Sequence, residues 1–247
     1  PDANNVHIST AIINGMTLRE AVYWIDSYNP EDAVAAGENI DYDRYVKFSE
    51  TVFTSTGNNT ISLEYDDIFI KKDILISITP GYGGYAYTAD GFYMAQDDSA
   101  RITVDGGDTS RIFYVESGWD VVISNLTITD GYVAGFYSGG NVGYGGGAGG
   151  GIYNLGNLTL NNVVVKDSTA TNSHVAGGDD LALGGGIYNG SGASLTLNDT
   201  TVTGNSADGV RQSDGDNHIG VGGGIYNVDG TVTINRSLIS ENTASGF

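Results

Sequence analysis

From residue 149 onward, apolar and polar positions alternate in short runs, and the runs return in the same order. Gly-Ile-Tyr-Asn at 151–154 leads to Leu158 to Leu160 and then to Val163 to Val165. The same succession follows at 186–189, Leu195 to Leu197 and Thr200 to Val202, and again at 224–227, Val232 to Ile234 and Ser237 to Ile239. Period-two alternation with β-branched residues predicts strands in each run. The hexapeptide Gly-Gly-Gly-Ile-Tyr-Asn opens every block, at 149–154, 184–189 and 222–227. Asn161, Asn198 and Asn235 recur at a spacing of 37, and Ala170, Ala207 and Ala244 close the blocks at that spacing.

Three short strands with Gly, Asn and Asp at their corners cannot bury an apolar face alone, so successive blocks must stack and share one core. The expected fold is all-β: a right-handed, single-stranded parallel β-helix with three strands per coil. Stacking puts Ile152, Ile187 and Ile225 in one interior column, and alternation puts Tyr153, Tyr188 and Tyr226 on the outer face. Asn154, Asn189 and Asn227 form a ladder at a turn, where their amides bond up and down the stack. The glycine triplets call for a tight corner or a close approach between neighbouring coils. A phosphate-loop reading of Gly145 to Gly151 fails, because the Lys-Ser/Thr and the following helix are both missing.

The N-terminal part is less regular. Leu18, Ala21, Val22 and Ile25 share one face of a predicted helix over 16–28, with Thr17 and Glu20 as a capping box and Pro30 soon after its end. Residues 1–40 are read as a cap on the first coil, 41–148 as irregular coils and 149–247 as regular ones. Strands are predicted at Tyr45 to Phe48, Thr60 to Leu63, Ile68 to Ile70, Ile74 to Ile78, Arg101 to Val104, Arg111 to Val115 and Val121 to Thr129. The excursion from Pro80 to Asp98 is rich in aromatics and reads as a flap over the coils or a sticky surface.

Composition narrows the partners. A net charge of −20, with only ten Lys plus Arg, repels phosphate backbones and anionic lipid, which argues against nucleic-acid and polybasic membrane roles. The chain has no Cys, so disulfides, thiolate metal sites and thiol catalysis are excluded together. No run of about 18 apolar residues suggests membrane insertion of this segment. The start at Pro1 without Met, and the end at Phe247 where the pattern calls for another insert and glycine triplet, lead us to expect more chain in the natural protein.

Met16-Thr-Leu-Arg-Glu-Ala21, Ile102-Thr-Val-Asp-Gly-Gly107, Ser110-Arg-Ile-Phe113, Ile123-Ser-Asn-Leu-Thr-Ile-Thr-Asp-Gly131 and the Gly-Gly-Gly-Ile-Tyr-Asn blocks together carry a resemblance. The chain resembles secreted bacterial right-handed β-helix proteins of the pectin-lyase-like kind. Its Leu-Arg-Glu-Ala piece is similar to a CSLREA-type N-terminal region, with Met-Thr where that pattern has Cys-Ser. The blocks are also similar to the repeats of chlamydial polymorphic outer membrane proteins, which are surface adhesins. There a Gly-Gly-Ala-Ile motif alternates with Phe-x-x-Asn; here the second motif survives only as Asn205 and Asn242, with Val202 and Ile239 in place of Phe. The resemblance implies an extracellular or cell-surface location, and it leaves function open because this scaffold serves adhesins, lyases and hydrolases alike.

The blocks differ mainly in the inserts between a closing Ala and the next glycine triplet: Thr171 to Leu183, Asp208 to Val221 and roughly Tyr132 to Ala148. Equal register makes these inserts leave the solenoid at one corner, one above another, as a side wall. Tyr137, Tyr144, His174, Arg211 and His218 are the candidate ligand-binding residues, facing a glycan or a host or neighbour-cell surface protein. Asp179, Asp180, Asp214 and Asp216 are the candidate metal ligands. As hard oxygen donors on turns they suit calcium, and as solvated turn acids they need no ion. An adhesin-like or structural surface module is the first reading and a carbohydrate-active enzyme, a polysaccharide lyase or glycoside hydrolase, the second. A glycosidase needs only two suitably spaced carboxylates, and 30 acidic residues neither supply nor exclude such a pair; we name no catalytic residue.

Overall fold

The computed structural model describes residues 18, 45–48, 60–63, 67–71, 74–78, 87–88, 91–92, 102–136, 147–173, 180–209 and 218–246. Short strands stack in four parallel sheets. Sheet I runs Tyr45–Phe48, Ile74–Ile78, Asp120–Ser124, Asn157–Asn161, Ser194–Asn198 and Thr231–Asn235. Sheet II runs Thr60–Ser62, Ile102–Asp105, Leu126–Thr129, Val164–Lys166, Thr201–Thr203 and Leu238–Ser240. Sheet III holds Ile68–Ile70, Phe113–Val115, Ile152–Asn154, Ile187–Asn189 and Ile225–Asn227. Sheet IV holds Tyr132–Phe136, Thr169–Ser173, Ser206–Asp208 and Thr243–Ser245. Each strand therefore pairs with its counterpart one repeat away, an arrangement compatible with a parallel β-helix.

The register is the one the repeats predict. Ile152 pairs with Ile187 and Ile187 with Ile225, while Asn161 pairs with Asn198 and Asn198 with Asn235. The strand run 121–129 is divided at Asn125, whose left-handed backbone (φ 61°) turns the chain from sheet I into sheet II. Asn162, Asp199 and Arg236 take the same conformation at the same corner of later coils. Short polar side chains tolerate it; arginine gains nothing from it.

A complete coil carries a fourth strand beside the three read from sequence, because the Thr-Ala-Thr run at 169–171 is extended and pairs as well. It was hidden by its position. Asp167 (φ 51°) and Ser168 form a corner that separates it from Val164–Lys166, and its single inward apolar residue, Ala170, gives little alternation.

The interior is filled by Ile152 and Ile187 from sheet III, Leu158, Leu160, Leu195 and Leu197 from sheet I, and Val165 and Val202 from sheet II, all buried. Removing one such side chain costs about 2–5 kcal/mol. Leu18 is helical and packs into this core; the rest of the predicted helix over 16–28 lies outside the described residues. Within the aromatic excursion, Tyr87–Thr88 pairs with Gly91–Phe92 in antiparallel fashion, and its remaining residues also lie outside the described ones.

Polar ladders hold the corners. The Nδ2 of fully buried Asn154 donates to Oδ1 of Asn189 at 2.7 Å, and Asn189 donates in turn to Asn227 at 2.7 Å. Asn205, also buried, accepts from the Ser168 backbone N–H at 3.1 Å and donates to the Val165 carbonyl at 3.1 Å. These amides satisfy turn groups that would otherwise be buried without partners.

The glycine triplets serve both purposes expected of them. Gly149 and Gly184 are left-handed turns (φ 64° and 65°). At Gly185 a Cβ would lie 2.2 Å from the Ser206 carbonyl oxygen and 2.4 Å from that of Gly223, so the backbone of the next coil occupies the space.

Candidate functional site

The outward side chains of sheet III form one continuous column. Phe69, Tyr114, Tyr153, Tyr188 and Tyr226 stack face to face, with centroid separations of 4.2, 5.0, 4.6 and 5.9 Å along the series. Parallel in-register strands about 4.8 Å apart impose this spacing once the same residue type recurs. The column was expected to face solvent, and this is corrected: Tyr153 and Tyr188 are each only 4 % exposed. They do point away from the main core. A second layer covers them.

That layer is built by the inserts, which the sequence reading treated as loops. Asp180–Leu183 and His218–Val221 are strands that pair in parallel, Leu181 with Ile219 and Leu183 with Val221, and Ala148 bridges to Leu183 on the other side. Leu181, Leu183, Val221 and Ala148 form a second apolar cluster with Tyr114, Tyr153, Tyr188 and Tyr226. In these stretches Leu-Ala-Leu and Ile-Gly-Val alternate over only three residues, too short a run to separate from a loop without knowing what lies beneath.

One buried cation meets both layers. Arg111 is 6 % exposed, and its register places it at the head of the column that continues as Gly150, Gly185 and Gly223. Its Nε donates to the Gly149 carbonyl and its Nη2 to the Ala148 carbonyl, both at 3.0 Å. Nη1 forms an ion pair with Asp67 in the preceding coil. The guanidinium lies 5.1 Å from the ring centroid of Tyr153 and 5.9 Å from that of Tyr114. Arg111 was not singled out from sequence. The available sign was a lone arginine aligned with the middle glycine of every later triplet.

Burial is the main cause that raises the Tyr153 phenol well above the ordinary tyrosine range, with Tyr188 and Tyr114 adding to it and Arg111 opposing. Burial likewise raises Tyr188. On the solvent side, the bidentate contact of Arg236 with Asp199, 2.8 and 2.7 Å, lowers the Asp199 carboxyl.

Of the nine residues nominated from sequence, Asp180 and His218 have described backbone, and they stand directly opposite one another as pairing partners at the start of the wall strands. Tyr137, Tyr144, His174, Asp179, Arg211, Asp214 and Asp216 lie outside the described residues. Among the described residues no three His, Cys, Asp or Glu side chains come together as a metal centre, and no helix is long and apolar enough to cross a membrane. Chemically, the described arrangement offers an aromatic-backed wall with two insert strands in register. No family model, curated protein or solved structure matches the chain.

Proposed function

We propose that this chain is an adhesin-like or structural module of the cell surface or extracellular space that binds glycan or protein along the wall of stacked inserts. The observation that supports this reading most directly is the pairing of Asp180 with His218. Because the two insert strands run residue for residue, they begin one coil apart and at the same level, at Asp180 and at His218. Variable segments delivered side by side onto a rigid scaffold make a recognition surface.

On this reading Tyr137, Tyr144, His174, Arg211 and His218 contact the partner, and Asp179, Asp180, Asp214 and Asp216 hold calcium weakly, ordering the segments between strands. On the same reading the coils wind right-handed, with sheet IV as a strand beyond the three expected in each coil, and residues 1–40 cap the first coil. The acidic surface favours neutral or basic partners.

The test replaces 174–179 and 210–217 with short Gly-Ser turns and keeps both wall strands. The expected result is unchanged cooperative melting, loss of binding on glycan and matrix-protein arrays, and loss of any rise in melting temperature with calcium. Binding that survives the replacement overturns the reading and moves recognition elsewhere on the molecule.

A further inference from the structure

We infer that the insert wall is a strap that lifts off the tyrosine column as a unit, and that Arg111 is the latch that holds it down. The consequence for partner binding rests on the recognition role proposed for the wall; the opening itself does not.

Three observations mark the wall as a layer laid on the tyrosine column, tied to the coils besides by the bridge of Ile219 to Gly246 at the end of sheet IV. Its apolar residues pack in a cluster of their own with the tyrosine rungs, distinct from the core that closes the coils. Its body is two four-residue strands, a size of sheet that is marginal without a surface to rest on. Each rung also leaves the wall through a left-handed glycine: Ala148 precedes Gly149 (φ 64°), Leu183 precedes Gly184 (φ 65°) and Val221 precedes Gly222 (φ 67°). Three equivalent glycines in register form a line along which the backbone can change direction without side-chain hindrance.

Arg111 grips this line at its first rung. The two carbonyls it binds are those of Ala148, the first residue of the wall, and Gly149, the first glycine of the hinge. Its counter-charge, Asp67, belongs to the coil before, and its flat face rests on Tyr114 and Tyr153. The same position is glycine in the next coils, so later rungs follow the first through strand pairing, with Gly149 N–H donating to Leu183 O at 2.9 Å and Gly184 N–H to Val221 O at 3.0 Å. Hydrogen bonds from a charged fork are stronger than neutral ones, and a planar guanidinium serves divergent acceptors that an ammonium cannot. One side chain therefore biases the whole strap.

The experiment compares the full chain with Arg111→Met, Arg111→Lys and Asp67→Asn by hydrogen exchange and by tetranitromethane nitration read by mass spectrometry. Arg111→Met removes both carbonyl contacts and should speed exchange at the Gly149, Leu183 and Gly184 amides by at least about tenfold to a hundredfold, the effect of losing one charge-assisted hydrogen bond. Nitration of Tyr153 and Tyr188 should rise in parallel, while the amides of Asn157–Asn161 and Ser194–Asn198 keep their protection. Arg111→Lys should fall between the two. Acceleration of wall and coil amides together makes Arg111 a general staple and overturns the latch, as does no acceleration at all. Should Arg111→Met not fold, Asp67→Asn keeps the guanidinium in place and is expected to give the wall-selective pattern in weaker form; a uniform pattern there also overturns the proposal. The loop replacement described above tests recognition separately, so a latch without a binding role and a binding wall without a latch give different results.

Discussion

Tyr153 and Tyr188 stack one coil apart with ring centroids 4.6 Å apart and planes inclined by only 10°, and both are buried although alternation turns them away from the core. The rings are therefore the inner surface of one layer and the floor of another. Aromatic pairs of this kind add about 0.5–1.5 kcal/mol beyond the area they bury.

Tyr188→Ser should for this reason destabilise the chain by about 3 kcal/mol or more, in the range of large-to-small core substitutions. Ile187→Asp should be worse, because it places an unpaired charge in the main core. Tyr188→Phe keeps the ring and should cost far less than Tyr188→Ser. Urea unfolding followed by circular dichroism ranks the three; a Tyr188→Ser protein as stable as the parent would show that the wall does not depend on the column.

Alkaline pH should unfold the protein through the same residues. The raised phenols of Tyr153 and Tyr188 mean that the folded chain holds these two protons more tightly than the unfolded chain does. Their contribution to stability is fully present below the unfolded phenol value of about 10 and declines as pH rises above it toward the folded values. In a titration of tyrosinate absorbance, these two rings should ionise together with loss of the β-sheet signal, after the exposed tyrosines. Early, reversible ionisation of all 16 tyrosines with the fold intact would contradict this.

How much of this could be read in the sequence follows from what repetition reports. Columns such as Ile152–Ile187–Ile225 and Asn154–Asn189–Asn227 are legible because parallel stacking brings identical positions into contact, so the pattern is itself the contact map. The side of the tyrosines was legible, but their burial was not, since alternation gives orientation relative to one core and is silent about a second layer. Leu181, Leu183 and Val221 supply that layer from short strands whose pairing partner is 38 residues away, Asp180 to His218. Arg111 was missed for the opposite reason: it occurs once, and a method that looks for recurrence passes over a singular residue.

The buried amide ladder sets a sharper test than the exposed one. Asn189 donates to Asn227 and accepts from Asn154, and it is fully buried. Asn189→Ala leaves buried groups without partners and should cost about 1–3 kcal/mol. Asn235, exposed at the end of another ladder, donates to Asn198 at 2.8 Å in contact with water, so Asn235→Ala should cost only a few tenths of a kcal/mol. Equal costs by chemical denaturation would mean that burial does not govern the ladders.

The corner column Asn125, Asn162, Asp199 and Arg236 predicts a stabilising change. All four residues are left-handed, with φ between 47° and 61°, a conformation that costs about 1–2 kcal/mol for residues unable to bond locally. Asn162 at this corner donates to Asn125 at 3.0 Å, whereas Arg236 reaches down to Asp199 in a solvent-exposed ion pair. Exposed pairs contribute little, because solvent screens them and two long side chains must be ordered. Arg236→Asn should therefore gain more from relieved backbone strain than it loses from the pair, raising stability by about 0.5–1 kcal/mol.

Glycine substitutions separate strain from collision. Gly192 is left-handed (φ 75°), and no atom lies within 4 Å of where its Cβ would stand, so Gly192→Ala meets only backbone strain, about 1–2 kcal/mol. Gly185 has no left-handed penalty, yet its added methyl would sit 2.2 Å from the Ser206 carbonyl oxygen and 2.4 Å from that of Gly223, both fixed in neighbouring backbone. Neither oxygen can withdraw without breaking the parallel register, so Gly185→Ala should prevent the coils from closing. Soluble expression with a cooperative melt for Gly192→Ala, and its absence for Gly185→Ala, is the expected pair of outcomes. A folded Gly185→Ala protein with native sheet content would show that the coils can separate at this corner, and that the glycine triplet is retained for its turn alone.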